Sequence, residues 1–168
     1  MDNQNLQKKL LDTAISGELS SLQQALKDGA SPNIRYNGGI PLIWAINKNN
    51  ELCARTLLKN RADCHLSTDT GHSPLSEAIY QVINNNNYHY IELLAPHIDE
   101  NKYKSDKKIE EIFNSLNPEA HNAIKEIINQ YISKAKEADA KTVGSQPSSE
   151  VEVSTAQGID SSDKRRAV

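Results

Sequence analysis

Cysteine and histidine are the side chains of this 168-residue chain that could perform covalent or metal chemistry. Cys64 and His65 are adjacent, and a thiol beside an imidazole is the minimal pairing of a nucleophile with a base. One hypothesis is therefore an enzyme that uses Cys64; the other, which we favour, is a loop cysteine next to a solvated histidine. No zinc-binding spacing such as HExxH or CxxC is present, so we expect no metal site.

Other kinds of chemistry have less support. Gly38 and Gly39 form an isolated pair without the lysine and serine or threonine that complete a phosphate-binding loop. The acidic pair Glu110 and Glu111 is predicted to lie on a solvated helix face, which is the usual place of such charges. The lysines between residues 102 and 108 are interrupted by acids, and the net charge is −3, which argues against nucleic acid as a partner. We expect no catalytic residues and no cofactor.

The composition also bears on compartment. No apolar run approaches the ~20 residues of a membrane span. The first residues contain no apolar stretch typical of a secretory signal. Two cysteines, Cys53 and Cys64, make no disulfide framework and favour a reducing compartment. The sequence therefore predicts a cytoplasmic protein without membrane insertion.

A short pattern recurs along the chain and indicates the elements that position these residues. Residues 41–46, Pro-Leu-Ile-Trp-Ala-Ile, return 33 positions later as Pro-Leu-Ser-Glu-Ala-Ile at 74–79. Residues 57–63 return 36 positions later at 93–99, so about three residues are inserted between the two landmarks. The run 84–87, four asparagines, is the natural place because asparagine tolerates turns. Periods of this length are typical of stacked helical repeats.

A further copy upstream, at 10–14 and 25–33, fits the same register. The opening Gly-His-Ser-Pro-Leu at 71–75 and the closing Leu-Lys-Asp-Gly-Ala-Ser-Pro-Asn at 26–33 resemble the start and the loop of an ankyrin repeat. The resemblance covers roughly residues 6–100. It implies an all-α solenoid whose helix pairs stack in a row, since one pair is too small to bury its own apolar face.

Local signals agree with helix pairs in this register. Ser73 is placed to cap a helix that has Pro74 at its first position, whereas Ile40 stands where the family has a capping threonine. Gly29 is suited to end the first pair with a left-handed residue. Arg61 and His97 occupy the equivalent positions in the second and third pairs. On the second helix of the middle pair, the apolar face is predicted to include Leu52, Thr56 and Leu57.

Residues 105–138 are predicted to form a degenerate C-terminal helical capping pair. Ser105 is the expected cap of its first helix, and Asn117-Pro118-Glu119 opens the second. The finger loop of this pair is missing, which suits a repeat that stacks on one side only. The predicted architecture is an ankyrin-repeat solenoid of about three repeats (6–37, 38–70 and 71–104) with this cap, together forming a domain at 1–138. Residues 139–168, rich in serine and without aromatic residues, are predicted to be a disordered tail.

In ankyrin-like stacks the finger loops and the first helices line the concave binding face, and the resemblance carries that role onto matching positions here. Two interpretations of Trp44 stay open, a core residue between repeats or an interface anchor. The asparagine insertion also has two: neutral drift in a polar loop, which we favour, and a second contact patch around Tyr88 and Tyr90. The predicted partner-binding residues are Arg35, Tyr36, Trp44, Asn47, Lys48, Asp69, His72, Glu77, Tyr80 and Gln81.

The sequence predicts a monomeric, non-catalytic protein–protein interaction module that binds a protein partner through finger loops and concave face. Frequent asparagine, lysine and isoleucine hint at an AT-rich genome. Small ankyrin proteins of that type occur in bacteria that live inside eukaryotic cells and are secreted as effectors, so by analogy we hypothesise an effector that acts on host proteins. The alternatives are a cysteine-dependent enzyme using Cys64 and a structural spacer or oligomer component.

Overall fold

The protein is described by a computed structural model over residues 3–143, and within that range it consists of helices and short loops without a β-sheet. The all-α prediction is confirmed. No helix in the described range is long and apolar enough to cross a membrane. The helices are α1 (Asn3–Ser16), α2 (Leu19–Lys27), α3 (Pro41–Asn47), α4 (Glu51–Lys59), α5 (Pro74–Asn85), α6 (His89–Leu94), a 3-10 turn (Ala95–His97), α7 (Glu100–Ser105), α8 (Lys107–Ser115) and α9 (Pro118–Val143).

The helices pair and stack in chain order. Helix α3 packs between α1 and α5, α8 continues this row beyond α5, and α2 and α4 pack together in the second row. Helix α9 closes the far end against α6 and the 3-10 turn. The apolar face that α3 and α5 share is buried completely in both helices, because each pair uses it to contact its neighbours. Its members are Leu42, Ala45, Ile46, Leu75, Ala78 and Ile79, each with no exposed surface.

Helix starts follow the capping signals closely. Ser73 accepts a hydrogen bond from the Ser76 amide at 3.1 Å, and the Ser76 hydroxyl accepts one from the Ser73 amide at 2.9 Å. This reciprocal pair is a capping box and satisfies two amides that the helix leaves unbonded. Pro74 follows at the first position, as predicted. Helix α3 starts at Pro41, and its N-cap residue, Ile40, provides no side-chain cap.

The ends of the helix pairs differ from repeat to repeat. Gly29 takes the predicted left-handed conformation, with φ of +99°. Arg61 adopts the same conformation at φ +66°, which costs a residue with a Cβ about 1–2 kcal/mol. His97 instead lies in the 3-10 turn, so the third pair ends without a left-handed residue there.

Two details of the predicted helices are wrong. Leu52 is 62% exposed, and α4 buries Cys53, Ala54, Leu57 and Leu58 instead, so its inner face is turned by one position. Ser105 ends α7 and does not cap α8. The cap of α8 is Asp106, whose carboxylate accepts hydrogen bonds from the Lys108 and Ile109 amides at 2.9 and 3.2 Å. A carboxylate is the better cap because its charge also suits the positive helix end.

The asparagine insertion lengthens a helix more than a turn. Helix α5 has 12 residues, whereas its counterpart α3 has 7. Asn86 then ends α5 in the left-handed conformation, with φ of +52°. Tyr90 is completely buried, and its hydroxyl donates to Asn49 Oδ1 at 3.1 Å. A contact patch built around Tyr90 is therefore excluded; Tyr88 is half-buried against the core.

Hydrogen bonds from asparagine side chains join neighbouring repeats. The Asn50 amide donates to the carbonyl oxygens of Ala14 and Ile15, at 2.9 and 3.0 Å, at the end of α1. The side-chain oxygen of Asn33 accepts a hydrogen bond from the Asp63 backbone amide at 2.7 Å, and its side-chain nitrogen donates one to the Arg61 carbonyl oxygen at 3.0 Å. These bonds satisfy backbone groups that the loops would otherwise leave without partners.

The C-terminal pair begins differently from the others and ends later than predicted. Helix α7 occupies the segment where a fourth finger would be, and Asp99 caps it by accepting the Asn101 and Lys102 amides at 2.9 and 3.0 Å. Asn117 accepts the Ala120 amide at 2.7 Å, so α9 starts where the sequence predicts. Helix α9 continues to Val143, five residues into the predicted tail. The rest of that tail, residues 144–168, lies outside the described residues.

Candidate protein-binding groove

The second finger, the loop that precedes α3, is a tight hairpin with its tip at residues 36–39. The Tyr36 and Gly39 backbones exchange two hydrogen bonds, at 3.0 and 2.8 Å. Between them, Asn37 and Gly38 both have positive φ, of 48° and 75°. A two-residue tip with two positive φ values is the turn that Asn-Gly favours, so the sequence itself specifies this finger.

The third finger, the loop that precedes α5, is stabilised by hydrogen bonds of its own threonines. The Thr68 amide donates to the His72 carbonyl at 2.8 Å, and the Gly71 amide donates back to the Thr68 carbonyl at 2.9 Å. The hydroxyls of Thr68 and Thr70 lie 2.9 Å apart, and the Thr68 hydroxyl also accepts the His72 amide at 3.1 Å. The loop therefore presents Asp69 and Thr70, both exposed, at a defined position.

Between these two fingers and the first helices lies a groove of about 360 Å³. Five of the predicted partner-binding residues line it: Trp44, Asn47, Asp69, His72 and Glu77. The other five lining residues are Gly38, Ile40, Ile43, Thr68 and Thr70.

Trp44 combines the two interpretations offered for it. The indole packs against the second finger, since a Cβ built on Gly39 would lie 2.9 Å from Nε1. It is nevertheless only half-buried and forms part of the groove wall. The Lys48 ammonium lies 5.6 Å from the centre of the ring, within the range of a cation–π contact. Trp44 is thus held in place by the fold while part of its surface stays accessible.

Two side-chain contacts position the polar wall of the groove. The Asn47 amide on α3 donates to Glu77 Oε1 on α5 at 2.9 Å. The rings of His72 and Tyr80 stack, with centroids 5.6 Å apart and an angle of 24° between the planes. The Asn47–Glu77 bond connects α5 to the second repeat, whereas the His72–Tyr80 stack connects the third finger to α5 within the third repeat. The groove therefore depends on correct stacking of the two repeats.

The remaining predicted residues are not in the groove wall. Arg35 and Lys48 are exposed, and Tyr36 and Tyr80 are half-buried. Gln81 accepts a hydrogen bond from the Asn85 amide at 2.8 Å. Ile43 was missed by sequence reasoning. Its signal was an apolar side chain at the repeat position where the ankyrin pattern has a polar, outward-facing histidine.

Cys64 is a loop cysteine, as predicted, but it is buried at the junction of two repeats. The residue is 1% exposed, and its thiol donates to the His97 carbonyl at 3.2 Å. Burial, with the neighbouring Asp63 charge, raises the pKa of the thiol to about 12. A nucleophilic cysteine needs the opposite, a lowered pKa and access to solvent. The cysteine at position 53 is also buried, and burial raises its pKa.

His65 is half-buried and takes part in the same junction between repeats. Its Nε2 accepts the Asp99 amide at 3.0 Å, while Nδ1 is buried without a hydrogen-bond partner among the described residues. Burial lowers the pKa of His65, although nearby carboxylates partly oppose this. The imidazole is therefore held neutral as a structural acceptor, and the expectation of a solvated histidine is wrong.

The lysine-rich segment between residues 102 and 108 is largely neutralised by acids. Lys102 pairs with Asp63 at 3.0 Å, and Lys104 pairs with Glu100 at 2.7 Å. Lys108 lies 3.3 Å from a carboxylate oxygen of Glu111. A phosphate-binding surface would present such cations unpaired. Across the residues that the structure describes, no three His, Cys, Asp or Glu side chains are grouped as metal ligands.

Stacked helix pairs, projecting fingers and a groove along the first helices define a repeat protein of the solenoid class. The chain belongs to the ankyrin repeat family: a family model described as "Ankyrin repeats (3 copies)" matches residues 10–106. A search of curated proteins found no match. The predicted family is therefore confirmed, and ankyrin repeats are in general protein–protein interaction modules and typically non-catalytic.

Proposed function

We propose that this protein binds a protein partner, without catalysis, through the groove between its second and third fingers. The observation that carries the proposal is Trp44, a large aromatic residue held by the fold with part of its surface left in an open groove. Interfaces obtain most of their affinity from a few such anchors, typically Trp, Tyr or Arg. Tyr36 and Arg35 on the adjacent finger supply two further anchors of these types.

The binding mode favours an adaptor, inhibitor or competitor that recognises a folded surface. Both fingers are pinned by backbone hydrogen bonds. A preorganised surface loses little conformational entropy when it binds. The proposed partner surface comprises the ten residues predicted from the sequence together with Ile43, Thr68 and Thr70.

The test is affinity capture from a cell lysate, comparing the full chain with a Tyr36→Ala/Trp44→Ala variant. We expect a specific band to disappear, because truncation of an anchor typically costs at least ~2 kcal/mol. Thr70→Arg places a bulky side chain on an exposed finger position and should have the same effect without disturbing the core. Leu52→Ala, on an exposed site of α4, is the matched control.

Each variant must keep the helical circular dichroism of the wild type, so that a lost band reports binding and not unfolding. A set of captured proteins that is the same for wild type, the double variant and Thr70→Arg would refute the proposed surface.

We further propose that the protein acts as an effector, delivered by a bacterium into a eukaryotic cell and working in the host cytoplasm as a monomer. Support comes from the composition and from the analogy with small ankyrin proteins of intracellular bacteria. A translocation reporter fused ahead of the full chain should lose delivery when residues 144–168 are removed. This result would support a translocation signal in that segment, and delivery that is unchanged by the truncation would contradict it.

A further inference from the structure

Apart from His72, the ionisable residues that line the groove are acids. Asp69 on the third finger and Glu77 on α5 both line it, whereas no lysine or arginine does. Within the described residues, neither carboxylate lies within 4.0 Å of a Lys, Arg or His nitrogen. Asp63, in contrast, is paired with Lys102 at 3.0 Å. The two acids of the groove therefore have no ion-pair partner within the described part of the chain.

The rest of the groove is apolar. Ile40 and Ile43 form part of its surface, and the indole of Trp44 lies beside them. Glu77 is held by the Asn47 amide at 2.9 Å, a neutral partner that fixes the carboxylate without cancelling its charge. An occupant that fits both parts has a long aliphatic stem and a cationic end. Only lysine and arginine side chains have this combination.

We infer that the groove receives an arginine side chain of the protein partner, an inference that rests on the proposed function and specifies its chemistry. The guanidinium group is planar, stacks on aromatic rings and offers several donors to carboxylates, whereas an ammonium is a more strongly hydrated point charge. Lys48 already lies 5.6 Å from the Trp44 ring centre, so this ring has a cation beside it even in the free protein. The carboxylates of Asp69 and Glu77 then pair with the bound guanidinium.

The probe is Nα-acetyl-arginine amide, titrated into the full chain at low ionic strength. Trp44 is the only tryptophan, so selective indole fluorescence reports on the groove directly. We expect a saturable change, and the citrulline analogue, which has nearly the same shape without the charge, should bind at least ~5-fold more weakly. Added salt should weaken the arginine signal, because the pair is charged and exposed.

Two substitutions test the carboxylates. Asp69→Asn and Glu77→Gln should each weaken binding of the probe at least ~3-fold, since each removes one charge and keeps the shape. The matched controls are Asp12→Asn on α1 and Glu119→Gln on α9, both exposed and outside the groove lining, and they should bind as the wild type does. The lysine analogue should bind more weakly than arginine.

Any of three results overturns the inference: no saturable response, equal binding of the citrulline analogue, or equal binding by the carboxylate variants and their controls. The lysate capture separates this failure from that of the proposed function. Loss of the captured protein in Tyr36→Ala/Trp44→Ala but full retention in Asp69→Asn and Glu77→Gln would leave the groove as the binding surface and exclude the arginine. Retention in all of these variants would refute the proposed surface itself.

Discussion

Replacing Asn50 tests how much the bonds between repeats contribute to stability. Asn50 precedes α4 but makes no capping bond to it; its amide instead donates to the Ala14 and Ile15 carbonyl oxygens at 2.9 and 3.0 Å. Asn50→Ala therefore removes two hydrogen bonds between the first and second repeats, and it removes no capping bond from α4. The Ala14 side chain is fully buried, so water reaches this helix end poorly.

The magnitude follows from these two bonds. A hydrogen bond inside a protein contributes about 0.5–1.5 kcal/mol net, so the pair is worth about 1–3 kcal/mol. We expect Asn50→Ala to lower the free energy of unfolding by that amount in urea titrations followed by helical circular dichroism. Asn122→Ala, an exposed asparagine within α9, is the matched control and should change stability little.

A second substitution makes the test sharper. Gly17 has φ of +80°, and a Cβ added there would lie 2.6 Å from Asn50 Oδ1. Gly17→Ala therefore costs both backbone strain, about 1–2 kcal/mol, and a clash with the amide. Removing the amide removes the clash, so the double variant should be more stable than the sum of the two single changes predicts.

Two outcomes would refute this reasoning. If Asn50→Ala and Asn122→Ala unfold with the same free energy change, the bonds to α1 contribute nothing measurable. If the costs of Gly17→Ala and Asn50→Ala simply add, the two side chains do not meet as the structure describes.

Two further predictions concern the junction of the second and third repeats. Burial lowers the pKa of His65, so its contribution to stability is present above the unfolded-state pKa of about 6.5 and is lost as the pH falls through the lower folded-state value. In urea titrations, lowering the pH from about 7.5 to 5 should reduce the free energy of unfolding more in the wild type than in His65→Gln. Equal reductions in the two proteins would argue against this role of His65. Because the pKa of Cys64 is raised to about 12, a chromogenic disulfide reagent at neutral pH should react slowly with the folded chain, whereas two thiols should react after unfolding. One fast-reacting thiol in native buffer would instead favour the cysteine-dependent enzyme.

The stacking register was predictable because its signals are local and repeated. Pro41 and Pro74 start equivalent helices, and Ser73 caps as its residue type predicts. The same reasoning found half of the groove wall, since Trp44 and Glu77 follow from their offsets within the repeat. Local chemistry and tertiary packing agree at these positions.

The failures arise where tertiary packing decides between local alternatives. Leu52 and Cys53 both suit an inner face of α4, and the stack buries the cysteine and leaves the leucine exposed. The less favoured interpretation of the insertion, a contact patch that includes Tyr90, fails because Tyr90 is buried and the insertion is absorbed by the longer α5. Cys64 is buried with its thiol bonded to a carbonyl oxygen 33 residues away, a contact that no local sequence pattern encodes.

Helix α7 limits how such a protein can change its copy number. Each pair contacts only its immediate neighbours, so an extra unit duplicated between α2 and α3 would meet two compatible partners. After the third unit, the chain instead turns through Asp99 into α7, and α8 and α9 follow without another projecting loop. Growth by internal duplication can therefore lengthen the row of fingers at the junctions that precede α7. Grafting additional units onto the C-terminal side requires α7 to be removed first.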